Sequence, residues 1–156
     1  MACPVLNRLR RRKMKTASTN QPDRVAVPTE SIIMLPLGLM GFEVNKRYVL
    51  LANTEEAPFM WLQMLEEPKQ AFLVMPPSIA MPGYRPDLSP EDVEFLGLRN
   101  PEDAMIVNIV TVRGPNQATM NLKGPVVVNR LTLLAKQVIP VNAADYDLRH
   151  PLDTAS

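Results

Sequence analysis

Few residues in this chain could do chemistry, and their spacing limits what they can do. The one histidine, His150, lies between Arg149 and Pro151 near the C-terminal end. A Ser-His-Asp triad would have to use it. A solvated tail residue, with no strand or helix beneath it, is the simpler expectation. Glu91, Asp92 and Glu94 are close together, and paired carboxylates can hydrolyse glycosides. Their simpler role is to complement the positive end of a helix dipole. Metal sites need several His, Cys or carboxylate ligands converging. With Cys3 the single cysteine, an intrachain disulfide and a thiolate-rich zinc site are both excluded. Gly38-x-x-Gly41 is too short for a dinucleotide fingerprint, and no G-x-x-x-x-G-K-S/T loop occurs. The expectation is no catalytic set, no metal and no cofactor.

The cations are distributed unevenly. Arg8, Arg10, Arg11, Arg12, Lys13 and Lys15 all precede the first acid, Asp23. The remaining 11 cations face all 16 acids, so the body carries a charge of −5. The head has three readings. Clustered cations suit a nucleic-acid-binding arm. A secretory signal would need an apolar run after the charges, and MKTASTNQPDR follows instead. The bland reading is a disordered extension over residues 1–27, with Met14 as an alternative start. Direct nucleic-acid binding by the acidic, aromatic-poor body is disfavoured. Lys123, Arg130 and Lys136 are the one local basic patch to consider, and strand solvation is its simpler reading. A single cysteine suits a reducing cytosol, and no apolar run approaches a membrane span.

The elements that must position these residues are mostly strands. A length of 156 residues suits one domain with a sizeable core. Sixteen prolines argue against long helices. RYVLLAN (47–53), APFMWLQML (57–65), QAFLVM (70–75) and AMIVNIVTV (104–112) are apolar runs of strand length. Glu66, Glu67, Pro68 and Lys69 suit a hairpin turn. Five prolines in residues 76–90 mark a loop. Ser89-Pro90-Glu91-Asp92 then fits a helix start, predicting one short helix near 89–97. The stretch TMNLKGPVVVNRLTLLAKQVI (119–139) predicts two strands around Gly124-Pro125. The fold class expected is mainly β: a small antiparallel, barrel-like single domain over residues 28–152, with a short tail at 153–156.

Polar residues inside these apolar runs are candidate contacts. Asn121 and Asn129 are expected to tie turns through side-chain–backbone bonds, with partner contact as the alternative. Gln63 and Gln137 are each either a satisfied core amide or a face contact. Met60, Met64 and Met75 suit core filling, whereas Met34, Met40 and Met81 lie beside turns, where thioethers suit adaptable surfaces. Glu55, Glu56, Glu66 and Glu67 are solvated turn residues or a rim that steers a basic partner.

Five segments in order carry a resemblance: LPLGLMGFE (35–43), PFMWLQM (58–64), AFLVMPP (71–77), TMNLKGPVVVN (119–129) and KQVIPVNAADYDLRHPL (136–152). Together they resemble the flagellar assembly factor FliW family. Met40 stands where G-L-P-G-F-E has proline, Met64 replaces a common serine, and Pro140 replaces the usual leucine after Gln-Val-Ile. The resemblance implies a cytoplasmic, non-catalytic β-barrel-like protein that binds flagellin before its export. Once freed, such a protein binds the carbon storage regulator CsrA, by a mode described as allosteric, and relieves repression of flagellin translation. RNA binding through the basic arm is the alternative. The candidate interface positions are Gly38, Met40, Glu43, Gln63, Glu66, Glu67, Asn121, Lys123, Asn129 and Gln137. Gly41, Phe42, Pro58, Phe59, Leu122, Gly124 and Pro125 are expected to serve the turns and core.

Overall fold

Apolar runs without alternation need partners on both faces, and the architecture supplies them. A computed structural model of the protein describes residues 31–66 and 70–152. The strands are β1 (Ile33–Met34), β2 (Arg47–Ala52), β3 (Met60–Met64), β4 (Ala71–Met75), β5 (Ala104–Gly114), β6 (Gln117–Met120), β7 (Val126–Asn129), β8 (Ala135–Gln137) and β9 (His150–Pro151). Two short helices, α1 (Pro77–Ala80) and α2 (Pro90–Leu96), lie between β4 and β5. Strands β1 to β5 pair successively as an antiparallel meander. The long β5 then serves two partners. Its first half pairs with β7 and its second half with β6. From there β6 continues to β9 and β7 to β8.

Alternate residues of this sheet enter different cores. Phe72 and Val74 of β4, Val107 and Ile109 of β5, and Val126 and Val128 of β7 pack into one cluster with Tyr48, Leu62 and Met64. Leu73, Met75, Val110 and Met120 point the other way, into a cluster with Trp61 that Tyr84 and Tyr146 cover. Val127 joins a third cluster with Val138 and Leu96 of α2. Strands buried on both faces read as continuous apolar runs rather than alternating ones.

The helix at 90–96 forms as its caps dictate. Ser89 Oγ accepts the Asp92 N–H at 3.1 Å, and Gly97 ends it in the left-handed region at φ 67°. The Lys136–Asp92 ion pair fixes it to β8, and Lys136 also lies 5.5 Å over the Phe95 ring. Two expectations need correction. The proline-dense segment holds a second helix, α1. Residues 126–139 form two strands rather than one, broken where Leu133 takes φ 64°. The sheet curls but is not closed. Between β1 and the residue just before β8 there is one parallel bridge, Met34 to Leu134, supported by the Met34 N–H donating to Leu133 O at 3.0 Å.

Tyr48 is fully buried in the first cluster, and its hydroxyl has no hydrogen-bond partner. Burial above all, then the charge on Glu66, pushes its phenol up to about 12. The folded state therefore keeps a proton that the unfolded chain releases near pH 10. That stability is complete below pH ~10 and is lost as pH rises through about 12. Tyr48→Phe is expected to gain about 1 kcal/mol at neutral pH by removing an unpaired buried hydroxyl. It should also flatten the alkaline limb of stability. Urea titrations of both proteins at pH 7, 10 and 11 measure both effects.

Candidate functional site

The residues first considered for catalysis are occupied otherwise. His150 is not a tail residue: it sits in β9 opposite Met120 and is partly buried. Asp92 is buried and paired with Lys136, while Glu91 and Glu94 are exposed on α2. Among the described residues no group of three His, Cys, Asp or Glu side chains could hold a metal ion. The proposed basic patch also dissolves. Lys136 is the partner of Asp92, and Lys123 Nζ donates to the Ala143 carbonyl at 2.9 Å.

A site assembles instead around the turn at residues 35–43. Gly38 is buried at φ 69°, and the Gly38 N–H donates to Leu35 O at 2.8 Å. Gly41 also has positive φ, at 90°. Phe42 packs edge-on against Phe72, with ring centroids 5.0 Å apart. Between the two glycines Met40 is thrown outward, 51% exposed. Its N–H donates to Gln137 Oε1 at 2.8 Å, while Gln137 Nε2 donates to Gly124 O at 3.1 Å. Gln137 is buried, and both ends of its amide are used. It braces the Met40 turn against the segment after β6. Gly124 is therefore a close-approach glycine rather than a turn former: a Cβ there would lie 3.1 Å from both Gln137 Nε2 and Asn121 Nδ2. Pro125 follows, buried, accepting the Val138 N–H at 2.9 Å.

Met40, Gln137 and Asn121 border a depression of about 300 Å³. Three sequence candidates thus meet at one place. Pairing registers explain the remainder of the lining. Thr111 lies opposite Thr119, and Asn121 N–H donates to Ile109 O, so these side chains share one face of the β5–β6 pair. Arg113 follows on that face. β9 pairs Pro151 with Thr119 and His150 with Met120, which brings the preceding Arg149 level with Asn121. Phe72, Ile109 and Leu148 supply apolar surface. Arg113, Arg149 and Leu148 escaped the sequence reading. Their signal was the two-residue period of Ile109, Thr111 and Arg113, which has meaning once the β5–β6 register is known.

The other candidates are elsewhere. Asn129 is 2% exposed and bonded within the protein on both sides of its amide. Asn121 Oδ1 accepts the Lys123 N–H at 2.9 Å, the turn-tying role expected for it. Gln63 Nε2 donates to its neighbour's carbonyl, Met64 O, at 3.1 Å. Leu122 is fully buried, and Phe59 packs on the second cluster just after the cis Ala57–Pro58 bond. Met34 is exposed like Met40, whereas Met81 packs onto the second cluster. Glu67 lies outside the described residues, as does the basic head. Glu56 is buried and not part of an acidic rim.

Glu43 and Glu66 remain as surface acids. Glu43 accepts the Gly41 N–H at 3.0 Å, which holds its carboxyl below the usual range. Glu66 accepts from Arg47 Nε at 2.8 Å and from the Lys46 N–H at 3.0 Å, and these bonds lower its carboxyl as well. A lowered carboxyl stabilises the fold above its unfolded value near 4.5, and that contribution is lost as pH falls through the folded value. The group is about a third exposed, so the effect is a fraction of a kcal/mol. Glu66→Gln is expected to flatten the acid limb of a stability profile between pH 5 and 3 by roughly that amount.

Against this geometry, the sequence profile of the family described as FliW protein matches residues 16–152. The chain belongs to the FliW family. A FliW protein described as a flagellar assembly factor in Syntrophus aciditrophicus is 36% identical over 123 residues, covering 78% of each chain. The Bacillus subtilis flagellar assembly factor FliW is 33% identical over 135 residues, covering 86% of this chain and 94% of its own. A crystal structure of the flagellar assembly factor FliW superposes with a TM-score of 0.71 at 29% identity, covering 85% of this chain and 91% of that one. The FliW fold therefore accounts for the mainly β architecture, and the depression lies on a FliW scaffold. Among the described residues no helix is long and apolar enough to cross a membrane.

Proposed function

We propose that this chain is a non-enzymatic, cytoplasmic flagellar assembly factor that binds flagellin and the translational regulator CsrA. Binding CsrA away from its RNA surface relieves repression of flagellin translation. The observation that carries this reading is membership of the FliW family over residues 16–152. A partner-binding role is also supported by the exposed apolar side chains of Met40 and Leu148, which line a shaped depression. The −5 charge of the body favours encounter with a basic RNA-binding regulator. A calorimetric titration of the full chain with CsrA and flagellin from the same organism, then with both in competition, tests it. Mutually exclusive binding at micromolar or tighter affinity is the expected result. Binding to neither overturns it, and binding to flagellin alone removes the regulatory half.

Six cations in eight positions, residues 8–15, favour a second reading as an RNA-binding arm. RNA retardation that disappears when residues 1–13 are removed would support it. Retardation that persists in the truncated chain would reject it.

A further inference from the structure

The depression has a charge opposite to that of the body around it. Its lining includes Arg113 and Arg149 and no carboxylate. Both arginines are exposed, and neither is ion-paired among the described residues. Asp147, two residues before Arg149, does not line the depression. The two guanidinium groups stand at different corners. Arg113 lies beyond the Thr111–Thr119 pair in one direction, and Arg149 lies across β6 at the level of Asn121 in the other. Strand spacing puts their Cα atoms roughly 15 Å apart. Thr111 and Thr119 lie between them, half-buried Phe72 and Ile109 line one flank toward β4, and exposed Leu148 stands next to Arg149. The Thr111 and Thr119 hydroxyls add polar groups to the same face.

From this arrangement we infer that the depression docks an extended segment of a partner protein in which acidic side chains flank an apolar one. Two separated cations do not converge on one small anion. They suit two carboxylates on a chain that crosses the Thr111–Thr119 pair, with an intervening apolar side chain leaning onto the Phe72 and Ile109 flank. Arginine forks match carboxylates bidentately. An acidic body would repel such a segment elsewhere, so the two arginines also select where it lands. The Gln137 brace sets one wall by holding Met40 in place. The inference rests on the partner-binding reading above and names the chemistry of one partner surface.

The test uses the full chain and a fluorescent heptapeptide, Ser-Glu-Ser-Leu-Ser-Glu-Ser, whose acids and leucine share one face when extended, with a glutamine-for-glutamate peptide as the neutral control. The acidic peptide is expected to bind at least tenfold more tightly than the neutral one. Its affinity should fall about tenfold in the Arg113→Gln, Arg149→Gln double variant, consistent with two partly exposed ion pairs. It should weaken again on raising salt from 50 to 500 mM. Because both arginines are exposed, the double variant should keep the thermal midpoint of the parent. Equal binding of the two peptides, or unchanged binding by the double variant, overturns the inference. So does displacement of the peptide by inorganic phosphate at equal concentration, which would identify a small-anion site. CsrA and flagellin titrated in parallel separate the two readings. Partners that bind while the acidic peptide does not overturn the docking inference alone. A peptide that binds through the arginines while neither partner binds supports the site and overturns the assigned partners.

Discussion

Gly38→Ala is expected to destabilise the domain by about 3 kcal/mol or more, read as a shift in the urea midpoint. Two independent costs add. The backbone at φ 69° is in the left-handed region, where a side chain costs roughly 1–2 kcal/mol. The new Cβ would also lie 2.6 Å from Glu43 Cα and 2.6 Å from the Phe42 carbonyl oxygen. Those are main-chain atoms and cannot swing aside as a side-chain tip can. Relieving the overlap costs another 1–3 kcal/mol or so. Gly41→Ala is the matched control. Its φ is 90°, but a Cβ there meets nothing within 4 Å, so only the backbone cost of about 1–2 kcal/mol applies. Equal losses in the two variants would refute the close approach at Gly38. The variant should also disturb the mouth of the depression, because the turn that Gly38 closes is the one that presents Met40.

Asn129→Ala should cost about 3 kcal/mol, through the polar groups it leaves behind. Asn129 Oδ1 accepts the Leu131 N–H at 2.8 Å and the Thr132 N–H at 3.3 Å, which shapes the turn between β7 and β8. Its Nδ2 donates to Leu96 O at 2.8 Å and to Gly97 O at 3.4 Å. The last carbonyls of a helix have no partner within it, so this one amide satisfies the C-terminal end of α2 while ordering a turn 33 residues away. Asn129→Asp separates the two halves of the role. It keeps the acceptor for the turn but sets a carboxylate against the Leu96 carbonyl. At pH 7 it should be at least as damaging as alanine. It should recover partly below pH ~4, where a protonated acid can donate. A loss under 1 kcal/mol for Asn129→Ala would show that α2 is held by its apolar contacts alone.

Much of the sheet was legible because its strands are buried on both faces. Val107 and Val110, or Val127 and Val128, serve different clusters, so each run is apolar throughout and bounded by turn residues. The break between β7 and β8 was not legible. Residues 130–134 hold no glycine or proline, and Leu133 is placed at positive φ by the bonds that Asn129 directs from a buried position. Local propensity is silent about such a turn. The helix start at Ser89 was readable from its caps, whereas α1 is a single turn within a proline-rich segment that composition assigns to loop. At the site, Asn121 and Gln137 stood out as polar residues in apolar runs. What Gln137 does depends on Met40, 97 residues away in sequence. The pairing of Arg113 and Arg149 at one concavity depends on β9 adding to β6, and two scattered residues in His150–Pro151 give no strand signal of their own.

The single bridge between Met34 and Leu134 gives the domain a seam. Everywhere else, separating neighbouring strands means breaking a ladder. Here it means giving up the Met34 N–H bond to Leu133, the Met40 N–H bond to the Gln137 side chain and a few side-chain contacts. Local openings follow the path of least free energy. The Met34 amide should therefore exchange with solvent deuterium through a small breathing motion, while amides of Leu62 and Val107 wait for global unfolding. Leu35 and Leu39 follow directly after β1 and are packed in the first cluster. Parting along this line would thus slacken the turn that carries Met40 before any other part of the sheet yields.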